Sequence, residues 1–88
     1  MIINKETVRT ALHQAVSKVL GEDVPPLKDN MSMFEELRMD STTMLETMME
    51  LEDTLQFTVD PEDLDIEDFL TVEAYIGFLM DIKQQQPA

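Results

Sequence analysis

The sequence predicts an all-α fold, a small four-helix bundle with three long helices, a short third helix and a long loop between helices one and two. Apolar residues recur at three- and four-residue spacing in three stretches of the chain, which places them on one face of each helix. No alternating pattern typical of a strand extends beyond residues 57–59. The 88 residues allow a single domain, 1–88, with a radius of gyration of about 12 Å.

The first helix is expected between Asn4, placed to cap its start, and Gly21, placed to end it. Its inward stripe consists of Val8, Leu12, Ala15, Val16 and Val19. A loop over residues 21–40 follows. Because a connection of this length is unusual in a compact domain, we expect Phe34 and Leu37 to dock on the core.

The second helix is expected over residues 41–55, with Asp40 as its N-cap. Its buried stripe consists of Met44, Met48, Leu51 and Leu55. Asp60 followed by Pro61 predicts a short helical turn over residues 60–64. Thr71 is placed to cap the last helix, whose inward residues are Val72, Ile76, Leu79 and Ile82. Residues 84–88 are expected to fray.

The charge of the chain restricts its partners. Nineteen acidic residues against 6 basic ones give a formal net charge of -13. Such a surface repels nucleic acid and anionic lipid, so we expect protein partners that present arginine and lysine, and a monomeric chain. The chain has no apolar run of membrane-spanning length and no signal-peptide pattern at its start, which predicts a cytoplasmic location. The absence of cysteine excludes a disulfide framework and thiolate metal sites.

Few residues are suited to catalysis or to metal binding. His13 is the single histidine, and we expect an ordinary surface residue, because a catalytic base must be held against a nucleophile. The acidic stretch 60–68 resembles a calcium loop in composition. It lacks the mid-loop glycine, and a loop beginning at Asp63 would place Ala74 where the closing glutamate is required. We predict no catalytic residue and no metal site.

Leu45 and Met49 continue, in steps of four, the line that begins at Ser41. They lie beside the buried stripe and are flanked by Glu46, Glu50 and Asp53. An apolar pair ringed by acids suits a partner with an apolar pocket and a basic rim. The alternative is that both apolar residues are half-buried packing residues.

Ser41 comes one place after the predicted cap, at the end of the long loop. Its hydroxyl is expected to be exposed, at a helix N-terminus that favours an attached phosphate. On position alone the commoner outcome is a serine that only assists capping.

The segment before and after Ser41 resembles the modification motif of acyl and peptidyl carrier proteins. In that family an apolar pair precedes Asp-Ser, the serine opens the second helix, and an acidic amphipathic helix follows. The helix order, the long first loop, the short third helix and the pair Thr71-Val72 extend the resemblance over nearly the whole chain. The residues that carry it are Phe34-Glu35-Glu36-Leu37-Arg38-Met39-Asp40-Ser41, Leu45-Glu46 and Leu51-Glu52-Asp53.

The resemblance implies that Ser41 carries 4'-phosphopantetheine, installed from coenzyme A by a phosphopantetheinyl transferase, with Asp40 orienting that reaction. The protein would hold acyl or aminoacyl groups as thioesters and would not itself be an enzyme. Its further partners would be an adenylation or acyl-loading enzyme and downstream synthase, condensation or thioesterase enzymes. Those partners would contact Thr42, Leu45, Glu46, Met49, Glu50 and Asp53.

Three departures from the family pattern bear on the pathway. Arg38 stands where glycine is usual, Thr42 replaces the leucine that follows the serine, and the stretch between helices two and four is slightly longer. They favour a free-standing carrier of a specialised nonribosomal peptide, polyketide or lipid pathway, with fatty acid synthesis as the alternative. Two other hypotheses remain: an unmodified acidic helical adaptor, for which Ser41→Ala would be harmless, and a methionine-rich calcium sensor.

Overall fold

The computed structural model describes residues 4–60, 62 and 65–85. Within them the chain forms α1 (Lys5–Leu20), α2 (Ser41–Leu55), a 3-10 helix (Ile66–Phe69) and α3 (Val72–Gln85). These described residues contain no strand, and their only β pairing is an isolated antiparallel bridge between Ser32 and Thr71. The all-α prediction is confirmed.

Local capping determines both ends of α1. The Asn4 side chain accepts a hydrogen bond from the Thr7 backbone N–H at 2.8 Å. Gly21 has a φ of 71°, in the left-handed region that glycine adopts without a Cβ clash, and its N–H donates to the Ser17 carbonyl at 2.9 Å. Both predicted ends of α1 are therefore confirmed.

The segment before α3 tests the predicted helical turn only in part. Of the expected turn over residues 60–64, positions 61, 63 and 64 lie outside the described residues. Glu62, which is described, has a 3-10 conformation, and its N–H donates to Asp60 Oδ1 at 2.9 Å. A 3-10 helix, Ile66–Phe69, follows, and the Asp65 side chain caps its first residues. The described residues thus form three α-helices, with 3-10 structure before α3.

The start of α3 agrees with the prediction. The Thr71 hydroxyl accepts a hydrogen bond from the Ala74 N–H at 3.1 Å, which confirms Thr71 as the cap. Gln84 and Gln85, expected to fray, belong to α3, and residues 86–88 lie outside the described part. The last turn is held because Lys83 Nζ donates to the Gln56 carbonyl oxygen, at the end of α2, at 3.0 Å.

The core is shared by the helices and the long loop. α1 packs against both α2 and α3, and the 3-10 helix packs on α3. Leu37 is buried and Phe34 is partly buried against the core, so the expected docking of the loop is confirmed. The radius of gyration is 11.8 Å, as the chain length predicts. The loop supplies the buried residues Val24, Leu27, Met33, Leu37 and Met39.

Polar contacts tie the loop to α1. Asp29 forms ion pairs with Arg9 at 2.6 Å and with Lys5 at 2.9 Å, and Arg9 also donates to the Leu27 carbonyl at 3.0 Å. His13 is half-buried, and its Nε2 lies 2.8 Å from the Val24 carbonyl oxygen, to which it donates. The prediction of an ordinary surface histidine was therefore wrong, because the loop folds back over this side chain.

None of the described helices combines the length and the apolar character that crossing a bilayer requires.

Candidate functional site

Ser41 is the first residue of α2 and is exposed. The backbone leading to it is anchored at Met39, which is 3% exposed and whose N–H donates to the Met33 carbonyl at 3.1 Å. Met33 is fully buried, and its own N–H donates to the Leu70 carbonyl at 3.0 Å. The core and the segment before α3 therefore hold the Ser41 backbone in a defined position.

The helix cap at this end does not use the Ser41 hydroxyl. Asp40 Oδ1 accepts from the Thr43 N–H at 2.9 Å, and Thr43 Oγ1 accepts from the Asp40 N–H at 2.7 Å, which closes a capping box. In the part of the chain that the structure describes, no hydrogen bond involves the Ser41 side chain. The alternative in which Ser41 assists capping is thus not supported.

Asp40 places a negative charge next to Ser41. Hydrogen bonds from the Thr43 backbone, first, and from the Thr43 side chain lower the pKa of the Asp40 carboxyl below its ordinary value. The carboxylate accordingly stays ionised at neutral pH. Its position one residue before Ser41 is confirmed, whereas an orienting role toward a partner stays a prediction.

Arg38, the first departure from the family pattern, lies in the left-handed region. Its φ is 56°, and its side chain is exposed. Glycine has no Cβ and reaches this region without crowding, which explains why glycine suits the position. Arginine here adopts the backbone conformation that favours glycine, three residues before Ser41.

The outer surface of α2 carries the predicted apolar pair. Leu45 is 45% exposed and Met49 is 67% exposed, whereas Met44 and Met48 are buried. Steps of four place Ser41, Leu45 and Met49 on one stripe of the helix. The alternative in which Leu45 and Met49 are packing residues is not supported. We call this stripe, with its neighbouring acids Glu46 and Asp53, the α2 surface.

The predicted polar residues of this surface divide into two groups. Thr42, Glu46 and Asp53 are exposed. Glu50 is half-buried and forms an ion pair with Lys18 of α1, with 3.1 Å between Nζ and Oε2. Glu50 therefore contributes to packing between the two helices as well as to the acidic surface.

Sequence analysis missed Lys18 and Leu70 near this region. Leu70 is 46% exposed and supplies the carbonyl that holds Met33, at the base of the loop before Ser41. Neither residue has a local signal in the sequence, because each is brought close by contacts between distant elements.

Groups of metal-ligating side chains large enough to hold an ion are absent from the described residues.

Comparison with known proteins identifies the family. Residues 10–79 match the family model described as "Phosphopantetheine attachment site". The chain belongs to this family. It is also 31% identical over 77 residues to the acyl carrier protein of Exiguobacterium sp. (strain ATCC BAA-1283 / AT1b), an alignment that covers 88% of this chain and 95% of that protein. No solved structure matched the chain.

The family membership confirms the resemblance to acyl and peptidyl carrier proteins. Proteins of this kind are acyl carriers and not catalysts, and their prosthetic group is a covalently attached 4'-phosphopantetheine. The structure fits such a group, because it offers an exposed serine hydroxyl outside the cap at the N-terminus of a helix of 15 residues. The partial positive charge of a helix N-terminus favours the phosphate through which the group is attached.

Proposed function

We propose that this chain is a carrier that holds acyl or aminoacyl groups as thioesters on a 4'-phosphopantetheine attached to Ser41. The observation that supports the proposal is the exposed Ser41 hydroxyl, which begins α2 and takes no part in the capping box. A transferase can therefore approach this oxygen without breaking a contact of the fold.

The chain itself supplies position and charge, and the prosthetic group supplies the thiol on which cargo is carried. Asp40, whose carboxyl pKa is lowered by hydrogen bonds from Thr43, directly precedes the serine to be modified and would orient it toward the transferase. The buried Met39 and Met33 hold the backbone before the serine. Tethering raises the local concentration of the cargo at each enzyme that the carrier contacts.

Intact mass spectrometry tests the attachment. The purified protein is incubated with coenzyme A and a broad-range phosphopantetheinyl transferase, and we expect the mass to rise by one phosphopantetheine. Ser41→Ala should show no increase, whereas the matched variant Thr42→Ala, which loses the neighbouring exposed hydroxyl, should be fully modified at the end point. An unmodified wild-type protein would instead favour the adaptor hypothesis.

The α2 surface is proposed to contact the transferase and the acyl-handling enzymes. Leu45 and Met49 would enter an apolar pocket, and Glu46 and Asp53 would face basic residues around it. Glu50 would contribute less, because Lys18 already neutralises part of its charge.

Charge reversal tests this surface. Glu46→Lys should slow modification by the transferase several-fold, since it places a cation where a basic rim is expected, while the melting temperature stays close to that of the wild type. Asp81→Lys makes the same charge change on the exposed surface of α3 and should have little effect on the rate. Equal rates for the two variants would refute docking through α2.

We also propose a specialised pathway for this carrier. The support is Arg38 before the serine and Thr42 after it, since both alter the surface that a fatty acid synthase enzyme would contact. Loading trials with amino acids and with acyl donors, using intact mass as the readout, test the proposal. Efficient loading from malonyl donors alone would favour fatty acid synthesis.

A further inference from the structure

Arg38 is the basic residue nearest to Ser41 in the sequence, and no other lysine or arginine occurs between residues 29 and 82. The residues on either side of it, Leu37 and Met39, are buried, which fixes the backbone that carries the side chain. Arg38 itself is exposed. A cation on a well-anchored stretch of backbone therefore lies close to the candidate attachment point.

Arg38 has no ionic partner in the part of the chain that the structure describes. The ion pairs there all use basic residues of α1. Arg38 borders an open groove between the end of α1 and the loop, and the acids Glu22 and Glu36 border the same groove. Neither acid pairs with it, and the Glu36 carboxylate instead accepts a hydrogen bond from the Ser32 N–H at 3.0 Å. The guanidinium group is therefore open to another anion.

The backbone of Arg38 is unusual for a residue that has a side chain. Its φ of 56° lies in the left-handed region, where the Cβ is crowded. Residues held in sparsely populated backbone regions cluster at functional sites. Within the described residues, the Arg38 side chain makes no hydrogen bond or ion pair that offsets the crowding. An interaction that forms only after modification of the protein would offset it.

Modification of Ser41 would bring an anion close to this side chain. The phosphodiester that joins the arm to the protein carries one negative charge, and its phosphorus is bonded directly to the serine oxygen. The Cα atoms of Arg38 and Ser41 are at most about 11 Å apart, because three residues of extended chain span no more. A long arginine side chain and a phosphorylated serine can together close that distance. The planar guanidinium also offers paired N–H donors that match two phosphate oxygens.

The same anion would otherwise meet repulsion from its surroundings. Asp40 directly precedes Ser41, and hydrogen bonds from Thr43 lower the pKa of its carboxyl. The chain as a whole already has a formal net charge of -13. A further negative charge beside an ionised carboxylate is unfavourable unless a cation lies nearby.

We propose that the Arg38 guanidinium binds the phosphodiester of the prosthetic group attached to Ser41 and so restrains the first bonds of the arm. This inference rests on the proposed attachment at Ser41. It gives a function to a residue that departs from the family pattern, and Arg38 would thereby contact the arm and not the cargo.

The first test compares the stability of the unmodified protein with that of the fully modified protein. Arg38→Gln removes the charge and keeps the Cβ, so any effect of backbone crowding is common to both forms and cancels. We expect Arg38→Gln to raise the unfolding equilibrium constant of the modified protein about threefold more than that of the unmodified protein, the effect of one exposed ion pair. Equal effects on the two forms would overturn the proposal.

The matched control is Lys28→Gln. Lys28 is exposed, and in the described part of the chain it also forms no ion pair. It lies next to Asp29, which pairs with Lys5 at the start of α1. Its removal changes the net charge by the same amount as Arg38→Gln, and it should change the stability of the unmodified and modified proteins equally.

Phosphorus NMR observes the contact itself, because the modified protein contains a single phosphorus atom. The resonance should differ between the wild type and Arg38→Gln, and Lys28→Gln should leave it unchanged. Added NaCl should move the wild-type resonance toward that of Arg38→Gln, since salt screens an exposed pair.

The outcomes separate this proposal from the proposed function. A resonance that is the same in the wild type and in Arg38→Gln at low salt would overturn the phosphate contact alone. If Arg38→Gln were also modified more slowly, Arg38 would instead belong to the surface that the transferase contacts. A protein that gains no mass would overturn the proposed function and this inference together.

Discussion

At the residue scale, Arg38 has a left-handed backbone conformation at a position where the family pattern has glycine. The left-handed region crowds the Cβ of any residue other than glycine, by roughly 1–2 kcal/mol. Arg38, with a φ of 56°, bears this crowding next to the candidate site. The position was identified from the sequence as unusual, but the conformation was not, because arginine carries no local signal for positive φ.

Arg38→Gly should stabilise the protein. Relief of the crowding is partly offset by the backbone freedom that glycine loses on folding, about 0.5–1 kcal/mol, so we expect a net gain of about 0.5–1 kcal/mol in the free energy of unfolding. Urea denaturation measures this free energy of unfolding. The control is Arg38→Ala, which removes the guanidinium group and keeps the Cβ, and a glycine variant less stable than the alanine variant would contradict the explanation.

The side chains around Ser41 were predictable to different degrees. Asp40 as the cap and the exposure of Leu45 and Met49 follow from local spacing, which helix geometry converts directly into position. The ion pair of Lys18 with Glu50 joins two helices that are separated by the loop, and its formation depends on how α1 packs against α2. Spacing along one helix contains no information on that packing.

At the element scale, the predicted bounds of α1 and α2 and the start of α3 agree with the structure. Both ends of α1 and the starts of α2 and α3 are determined by caps that the sequence carries locally, whereas α2 ends at Gln56, whose left-handed conformation has no such signal. The last turn of α3 contacts the end of α2 through Lys83, and the 3-10 helix Ile66–Phe69 packs on α3; local signals in the sequence do not report these contacts. The loop over residues 21–40 was correctly expected to dock. Its contacts with α1, through Asp29, Arg9 and His13, could not be predicted from the sequence and are seen only in the structure.

Asp29 makes the attachment of this loop dependent on pH. Its hydrogen bonds with Lys5, first, and with Arg9 lower the pKa of its carboxyl. A lowered pKa means that the stabilisation is present above the unfolded-state value of 3.8 and is lost as the pH falls through the folded-state value. The free-energy difference between the wild type and Asp29→Asn should therefore be largest near neutral pH and should decrease below about pH 4.

Chemical denaturation at a series of pH values measures that difference. Asp81→Asn removes the same charge from an exposed position on α3, and it should leave the stability at pH 6 unchanged or raised. If Asp29→Asn behaved as Asp81→Asn does across the series, the ion pairs of Asp29 would not hold the loop.

At the scale of the whole molecule, charge opposes folding. A formal net charge of -13 is confined to a body of 31 × 27 × 22 Å. At 0.1 M salt the screening length is about 10 Å, shorter than the molecule, so repulsion between opposite sides is removed first. The favourable pairs at 2.6–3.1 Å, such as Arg9 with Asp29, are screened less.

Added salt should therefore raise the melting temperature of the unmodified protein. Thermal denaturation followed by circular dichroism measures the melting temperature at increasing NaCl concentrations. A parallel series with MgCl2 at matched ionic strength separates general screening from binding of a divalent cation. A melting temperature that falls with salt would show that the attractive pairs outweigh the repulsion.

The closed capping box of Asp40 and Thr43 has a consequence for the working life of the protein. Since the helix start is secured by these two residues, the prosthetic group could be attached to the neighbouring serine, and its thiol loaded and unloaded repeatedly, while α2 stays folded. Each round of synthesis would thus leave the scaffold unaltered, and enzymes acting early and late in the sequence would meet the same molecular shape.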